Sequence, residues 1–171
     1  MRFAALDIET TGLEASYGRL LCACFKFTDE EKVHTIVARR YRNEAAALRK
    51  IAALYDKLDV VLTWNGKLFD VPYLNARLMH HGMLPLPANK MHKDVMYEAR
   101  KLRLRGSRLE NVSKDFRTKT HKYDVPAWRW VLAAEGDASA HHEIATHCAN
   151  DVLLTEEMFN RLKPLIVRIT R

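Results

Sequence analysis

Residues 60–64 read VVLTW, a β-branched run lying between two stretches of helical periodicity. Before it, Ala45, Ala46, Leu48, Ile51, Ala52, Leu54 and Tyr55 recur at helical spacing, with Asn43 as the expected N-cap. After it, residues 69–80 carry a second helical pattern, with Pro72 tolerated in the first turn. A short apolar run between two helices reads as a strand buried in the middle of a sheet. Upstream, 2–8 (RFAALDI) reads as a first strand, and 20–27 and 32–38 as a hairpin turning at Thr28-Asp29-Glu30-Glu31. Downstream come a last strand over 91–95, a basic helix over 96–104, short helices over 109–116 and 126–134, and a long helix over 139–162 ended by Pro164. This order predicts a mixed α/β fold. No repeat, linker tract or composition shift divides residues 1–171, so a single domain is expected.

Charge is unevenly placed along that framework. The chain has 28 Lys+Arg against 21 Asp+Glu, a net +7. Residues 90–122 hold 11 of the bases and 4 of the acids, and the rest of the chain balances at 17 to 17. Such an excess suits a polyanionic partner, or a solvated basic face. Three cysteines (22, 24 and 148) are too few for a disulfide framework and point to a cytoplasmic protein. Cys22-Ala-Cys24 lies inside an apolar strand with no second cysteine pair following, which disfavours zinc even with His34 nearby. No apolar stretch approaches 18 residues, so no membrane partner is expected. Neither a Walker-type G-x-x-x-x-G-K nor a G-x-S-x-G elbow is present, which leaves P-loop and serine hydrolase chemistry without support.

The chemistry is concentrated in acids at element ends. Asp7 and Glu9 are two apart, so an extended strand points both to one face. At a separation of about 4 Å they repel by roughly 4 kcal/mol at an effective dielectric near 20, unless protonation, hydrogen bonds or a cation offsets this. Asp70 follows the VVLTW strand at the entry of the next helix, and His147 and Asp151 share a helix face at i and i+4. Singly, each has a plain structural reading: a solvated turn, an acid favoured by the helix dipole, an ordinary helical pair. Jointly, carboxylate oxygens with few cysteines suit Mg²⁺ or Mn²⁺. Two such divalent ions would activate a water and stabilise the leaving oxygen of a phosphodiester.

Leu6-Asp7-Ile8-Glu9-Thr10-Thr11-Gly12, Asn65-Gly66 with Phe69-Asp70, and His147-Cys148-Ala149-Asn150-Asp151 together resemble the three motifs of the DEDD, or DnaQ-like, 3′–5′ exonucleases. The resemblance spans nearly the whole chain. It implies an RNase H-like α/β fold, with a mixed five-stranded β-sheet flanked by α-helices. It also implies that Asp7, Glu9 and Asp151 hold the metal carrying the attacking water, with Asp7 reaching a second metal and Asp70 assisting through water. One branch of the family has His with four residues before the last Asp, the other Tyr with three. Here His147-x-x-x-Asp151 joins the His of one to the spacing of the other. One residue turns a helix by about 100°, so His147 is not placed where the His branch has its base, yet it shares the Asp151 face and suits orienting or deprotonating water.

The resemblance further implies that Thr10, Thr11, Gly12 and Leu13 line the 3′-terminal nucleotide and that Asn65 and Phe69 contact the next. Lys90, Lys93, Arg103, Arg105 and Arg108 are the candidates for backbone contacts, along with Arg100 and Lys101. Trp128 and Trp130 are read as core, His80-His81 and His141-His142 as exposed imidazoles near helix ends, and Asp94 as a sheet-edge residue without a metal. The expected activity is a metal-dependent 3′–5′ exonuclease on single-stranded DNA. RNA trimming and an idle nucleic-acid-binding module are the alternatives. With no polymerase domain in the chain, a proofreading role would need a partner in trans, either a polymerase or another replication or repair protein.

Overall fold

The computed structural model describes residues 1–121 and 123–166; Lys122, the last base of the basic segment, lies outside them. Five strands form one sheet in the order β3-β2-β1-β4-β5. They are β1 (Phe3–Thr10), β2 (Leu20–Phe27), β3 (Val33–Val37), β4 (Val60–Thr63) and β5 (Met91–Asp94). The hairpin side is antiparallel, while β1, β4 and β5 run parallel, as the intervening α1 (Tyr41–Tyr55) and α2 (Asp70–His80) require. VVLT is fully buried one strand from the sheet centre, as expected of a run covered on both faces.

The pleat sorts the strand residues into two apolar layers. Ala4, Leu6 and Ile8 of β1 join Phe25, Leu48, Ile51, Leu74 and Leu78 beneath α1 and α2. Ala5 joins Cys22, Cys24, Val60 and Leu62 beneath the long helix α6 (Ala138–Leu162). By period two, Asp7 and Glu9 continue the Ala5 row and therefore face α6. The smaller helices α3 (Val95–Arg100), α4 (Leu109–Asp115) and α5 (Ala127–Glu135) complete that layer. Truncating a core side chain such as Leu62 or Leu74 to alanine costs about 2–5 kcal/mol in such packing. Among the described residues no helix is long and apolar enough to cross a membrane.

Several boundaries shift by a residue or two from expectation, and three of these shifts have a local reason. Asn43 lies in the first turn of α1, not at its N-cap; Arg40 takes that place in an extended conformation without a side-chain cap. Tertiary demand decides this, because the earlier start turns Glu44 inward onto the Leu20 amide at 2.8 Å. The basic helix stops at Arg100, since Arg103 adopts a left-handed φ of 54° and Leu104 packs back on the core. The last strand ends at Asp94, whose carboxylate caps α3 by accepting from the Met96 amide at 3.2 Å.

Candidate active site

Strand β1 outruns its parallel neighbour. Its last pair with β4 is Ala5↔Leu62, whereas its pairing with β2 continues through Asp7↔Cys24 and Glu9↔Cys22. The gap this opens beside β1 is filled by side chains. The Ile8 amide donates to Asp70 Oδ1 at 3.0 Å, which pins the start of α2 to the first strand. From the opposite layer, α6 brings Cys148 Sγ to the Asp7 carbonyl at 3.3 Å and Asp151 one turn further on. Asp7, Glu9, Asp70 and Asp151 thereby converge at one end of the sheet.

The electrostatics of this cluster are unfavourable as it stands. Burial pushes the Asp7 carboxyl well above its ordinary range, and the charges of Asp70, Glu9 and Asp151 push it further. Asp70 is raised to about 7, chiefly by burial, against the lowering effect of the Ile8 amide. Asp7 Oδ2 is buried without a hydrogen-bond partner among the described residues. Such an acceptor normally finds a donor, and leaving one unsatisfied costs about 1–3 kcal/mol or more when charged. Hard oxygen donors, mutual repulsion and an orphaned oxygen fit a divalent cation of the Mg²⁺ or Mn²⁺ class. Among the described residues no three acidic, His or Cys side chains already enclose an ion-sized site. Their present engagements explain that, since Asp70 is turned to Ile8 and Glu9 to Trp130 and His147.

His147 is held in a defined orientation. Its Nδ1 bonds the Tyr123 carbonyl, which can only accept, so Nδ1 carries the proton and Nε2 is the acceptor of the neutral ring. Nε2 lies 3.4 Å from Glu9 Oε1 and 3.8 Å from Asp151 Oδ2. The i, i+4 spacing thus places the imidazole among the acids, as the shared helix face predicts. Trp130 closes the side: its indole stands edge-on to the His147 ring at 5.7 Å, and Nε1 donates to Glu9 Oε2 at 3.4 Å. This contact was invisible in the sequence, where Trp130 reads as core. Trp130 also packs against the core layer, whereas Trp128 contradicts the core reading, being 58% exposed with the Arg129 guanidinium against its ring.

A cleft of about 420 Å³ runs from Asp7 and Asp151 past Trp64 and Asn65 to Arg100 and Arg108. The Asn65-Gly66 turn on its wall is built by close approach. Asn65 sits at φ 69°, and a Cβ on Gly66 would meet the Thr63 side chain at 2.5 Å. Asp94 accepts from the Asn65 and Lys67 amides at 2.9 and 3.1 Å, so this sheet-edge acid fixes the turn. Across from it, Thr10 Oγ1 donates to the Gly12 carbonyl at 2.8 Å, and Thr11 Oγ1 accepts from the Arg19 amide at 3.0 Å. Both hydroxyls are thereby committed to shaping the loop, which leaves Leu13 84% exposed at its tip.

Residues 4–163 match the sequence profile of the RNase_H superfamily. The chain belongs to the RNase H superfamily. No curated protein matches it by sequence. Among solved structures, this RNase H-superfamily domain is similar to the family B DNA polymerase from the hyperthermophilic archaeon Pyrobaculum calidifontis. The TM-score is 0.79 at 17% identity, over 96% of this chain and 25% of that one. The chain thus spans about a quarter of the polymerase's length, and at that identity the likeness is one of fold.

Within the RNase H-superfamily domain, the expected substrate contacts divide. Leu13 and Asn65 flank the acid end, whereas Phe69 is half-buried and tilted against Tyr73 at 5.4 Å. Lys93 closes on Glu98 at 2.6 Å and Lys90 on the Asp56 carbonyl at 2.8 Å, so both are turned to the protein. Arg103 and Arg105 are exposed outside the cleft lining, and Arg108 lies on it. Neither histidine doublet is simply exposed: His141 is buried on the Arg39 carbonyl at 3.1 Å, and His81 reaches Glu44 at 2.8 Å.

Proposed function

We propose that this chain is a metal-dependent 3′–5′ exonuclease that removes nucleotides from single-stranded DNA, releasing nucleoside 5′-monophosphates. Membership of the RNase H superfamily supports nuclease activity in general. The observation that carries the finer reading is the orphaned Asp7 Oδ2, ringed by three further carboxylates beside a histidine whose Nε2 faces them. Asp7, Glu9 and Asp151, with Asp70 in support, would hold two divalent ions. When bound, these supply the positive charge that offsets the carboxylates and stabilises charge developing on the phosphodiester. His147 accepts the proton of the attacking water at Nε2, with the Tyr123 carbonyl holding the tautomer in which that nitrogen is basic. Leu13 and Asn65 hold the terminal nucleotides from opposite sides of the acids. Arg108 and Arg100, on the cleft rim, hold phosphates by charge-assisted hydrogen bonds.

The deciding experiment incubates 5′-labelled single-stranded DNA and RNA with the protein in Mg²⁺, Mn²⁺ or EDTA. A ladder shortening from the 3′ end with metal and none in EDTA is expected, and the better-cut sugar identifies the substrate. Intact DNA and RNA with both metals, or unchanged cleavage by Asp7→Ala, would refute the reading. His147→Ala should lower the rate by removing the acceptor for the proton of the attacking water. An unaltered rate across pH 6–9 removes His147 from the mechanism and leaves the acid cluster.

A further inference from the structure

The 17-to-17 balance outside residues 90–122 conceals a segregation visible only in three dimensions. Where β3 passes into α1, a cavity of about 630 Å³ is lined by Arg39, Arg40, Arg42 and Lys50, with Ala47 at its base and Gly136 on its wall. Among the described residues no carboxylate lines it. All four cations are exposed, and none has a side-chain hydrogen-bond or ion-pair partner among the described residues. The acid nearest in sequence, Glu44, is buried and turned to Arg77, His81 and the Leu20 amide. In the 90–122 segment, by contrast, Lys93 and Lys101 are taken up by Glu98, and Lys114 by Glu110. Four cations around one hollow repel one another, and a polyanion relieves that repulsion.

The register relates this corner to the acid cluster. Glu9 pairs with Cys22, and Cys22 pairs with Val37. Val37 is therefore two strands from Glu9 in the same row, about 10 Å away at the usual interstrand spacing. That is a short reach for a nucleic-acid strand, which carries a phosphate charge at every nucleotide. The corner is also firmly fixed. The Arg39 carbonyl accepts from His141 Nε2 at 3.1 Å and from Arg19 at 3.4 Å, and Arg19 also donates to the Ala38 and Ala134 carbonyls at 3.1 and 2.5 Å.

We propose that the cavity between β3 and α1 is a second nucleic-acid site, where Arg39, Arg40, Arg42 and Lys50 grip backbone phosphates of the strand remote from the end being cleaved. This rests on the nuclease reading above and assigns it a long substrate. Binding is then split between two basic regions on either side of the acids.

The test compares the wild-type protein with Arg39→Gln/Arg40→Gln/Arg42→Gln/Lys50→Gln, checked for folding by circular dichroism and melting. Binding of a labelled oligonucleotide of about 20 residues is titrated in EDTA over a range of salt, so the readout does not need catalysis. Neutralising four contacts on a single strand should weaken binding roughly tenfold or more and make the log–log salt slope shallower by about 3. Where metal-dependent cleavage is present, the rate on a dinucleotide, whose single phosphodiester lies at the acids, should be unchanged. Should the fourfold variant fail to fold, Arg42→Gln/Lys50→Gln should show about half of that slope change. Wild-type affinity and slope in a folded variant overturn the proposal, even if binding of an acidic peptide falls. Absence of cleavage by the wild-type protein instead refutes the nuclease reading, and the EDTA titration still decides the site.

Discussion

Asp7 and Glu44 are carboxylates with buried oxygens in opposite layers of the fold, and their surroundings are opposite too. Glu44, 0% exposed, accepts from the Leu20 amide, from Arg77 Nε and Nη2 at 3.0 and 2.6 Å, and from His81 at 2.8 Å. Burial pushes it up, but the Arg77, His81 and Leu20 hydrogen bonds and the Arg77 charge outweigh this and leave it below its ordinary range. Asp7 has a buried oxygen without a donor, and other acids around it drive its carboxyl up. The same functional group therefore serves as a structural anchor in one place and, on the function proposed above, as a metal ligand in the other. What separates them is whether the fold supplies the compensating charge or leaves it to be brought from outside.

The largest test of this contrast is Asp7→Asn. It should reduce metal-dependent cleavage by on the order of 10²–10³ or more, the scale at which losing one transition-state stabiliser registers. The same variant should melt higher than wild type without metal, because one repelling charge is gone. A lower Tm would mean that the cluster is not strained. Glu44→Ala should act in the opposite sense, costing about 3–5 kcal/mol of stability by stranding the buried Arg77 guanidinium. Urea unfolding measures this, and a loss below about 1 kcal/mol would remove Glu44 from its anchoring role.

Dependence on pH sharpens the contrast further. The folded Asp70 is raised to about 7 and Asp7 is raised as well, so these two groups hold more protons in the native state than in the unfolded chain from the ordinary carboxylate range up to about pH 7. Their contribution to metal-free stability should therefore fall as pH rises through that window, while the half-buried His92, depressed to about 4 by desolvation, works in the opposite sense. Saturating Mg²⁺ should oppose the fall by binding the native state. Glu44 has the opposite sign. Its contribution is present above the unfolded carboxylate pKa and is lost as pH falls through its depressed folded value. A metal-free urea midpoint with the same pH dependence in wild type and Asp70→Asn would contradict the assignment for Asp70. The smallest effect is expected of Trp130→Phe, which keeps a ring beside His147 but removes the donor to Glu9 Oε2. A rate loss of severalfold, about 1 kcal/mol in the barrier, should follow with little change in Tm.

The acids of the site were legible in the sequence because each lies within or at the start of a regular element whose period is simple. Asp7 and Glu9 share a face by period two, and His147 and Asp151 by the helical turn. Their partners were not legible, because they arrive from far along the chain: Asp70 on the Ile8 amide, Tyr123 on His147, Trp130 on Glu9. Asn43 misleads as an N-cap because local capping preference is worth about 1 kcal/mol, less than the buried network that draws Glu44 inward. The cations at 39–50 disappear in a charge sum, since summation discards position, and position is what makes them a patch.

Cys22, Cys24 and Cys148 are all free and buried at the seam between the sheet and α6, directly behind the acids. A maleimide or other thiol reagent can reach them only when that seam parts. The rate of thiol labelling under native conditions is accordingly a clock for the opening of the sheet against its longest helix, read without any engineered probe. Slower labelling in the presence of Mg²⁺ would time how firmly an ion latches the two layers together.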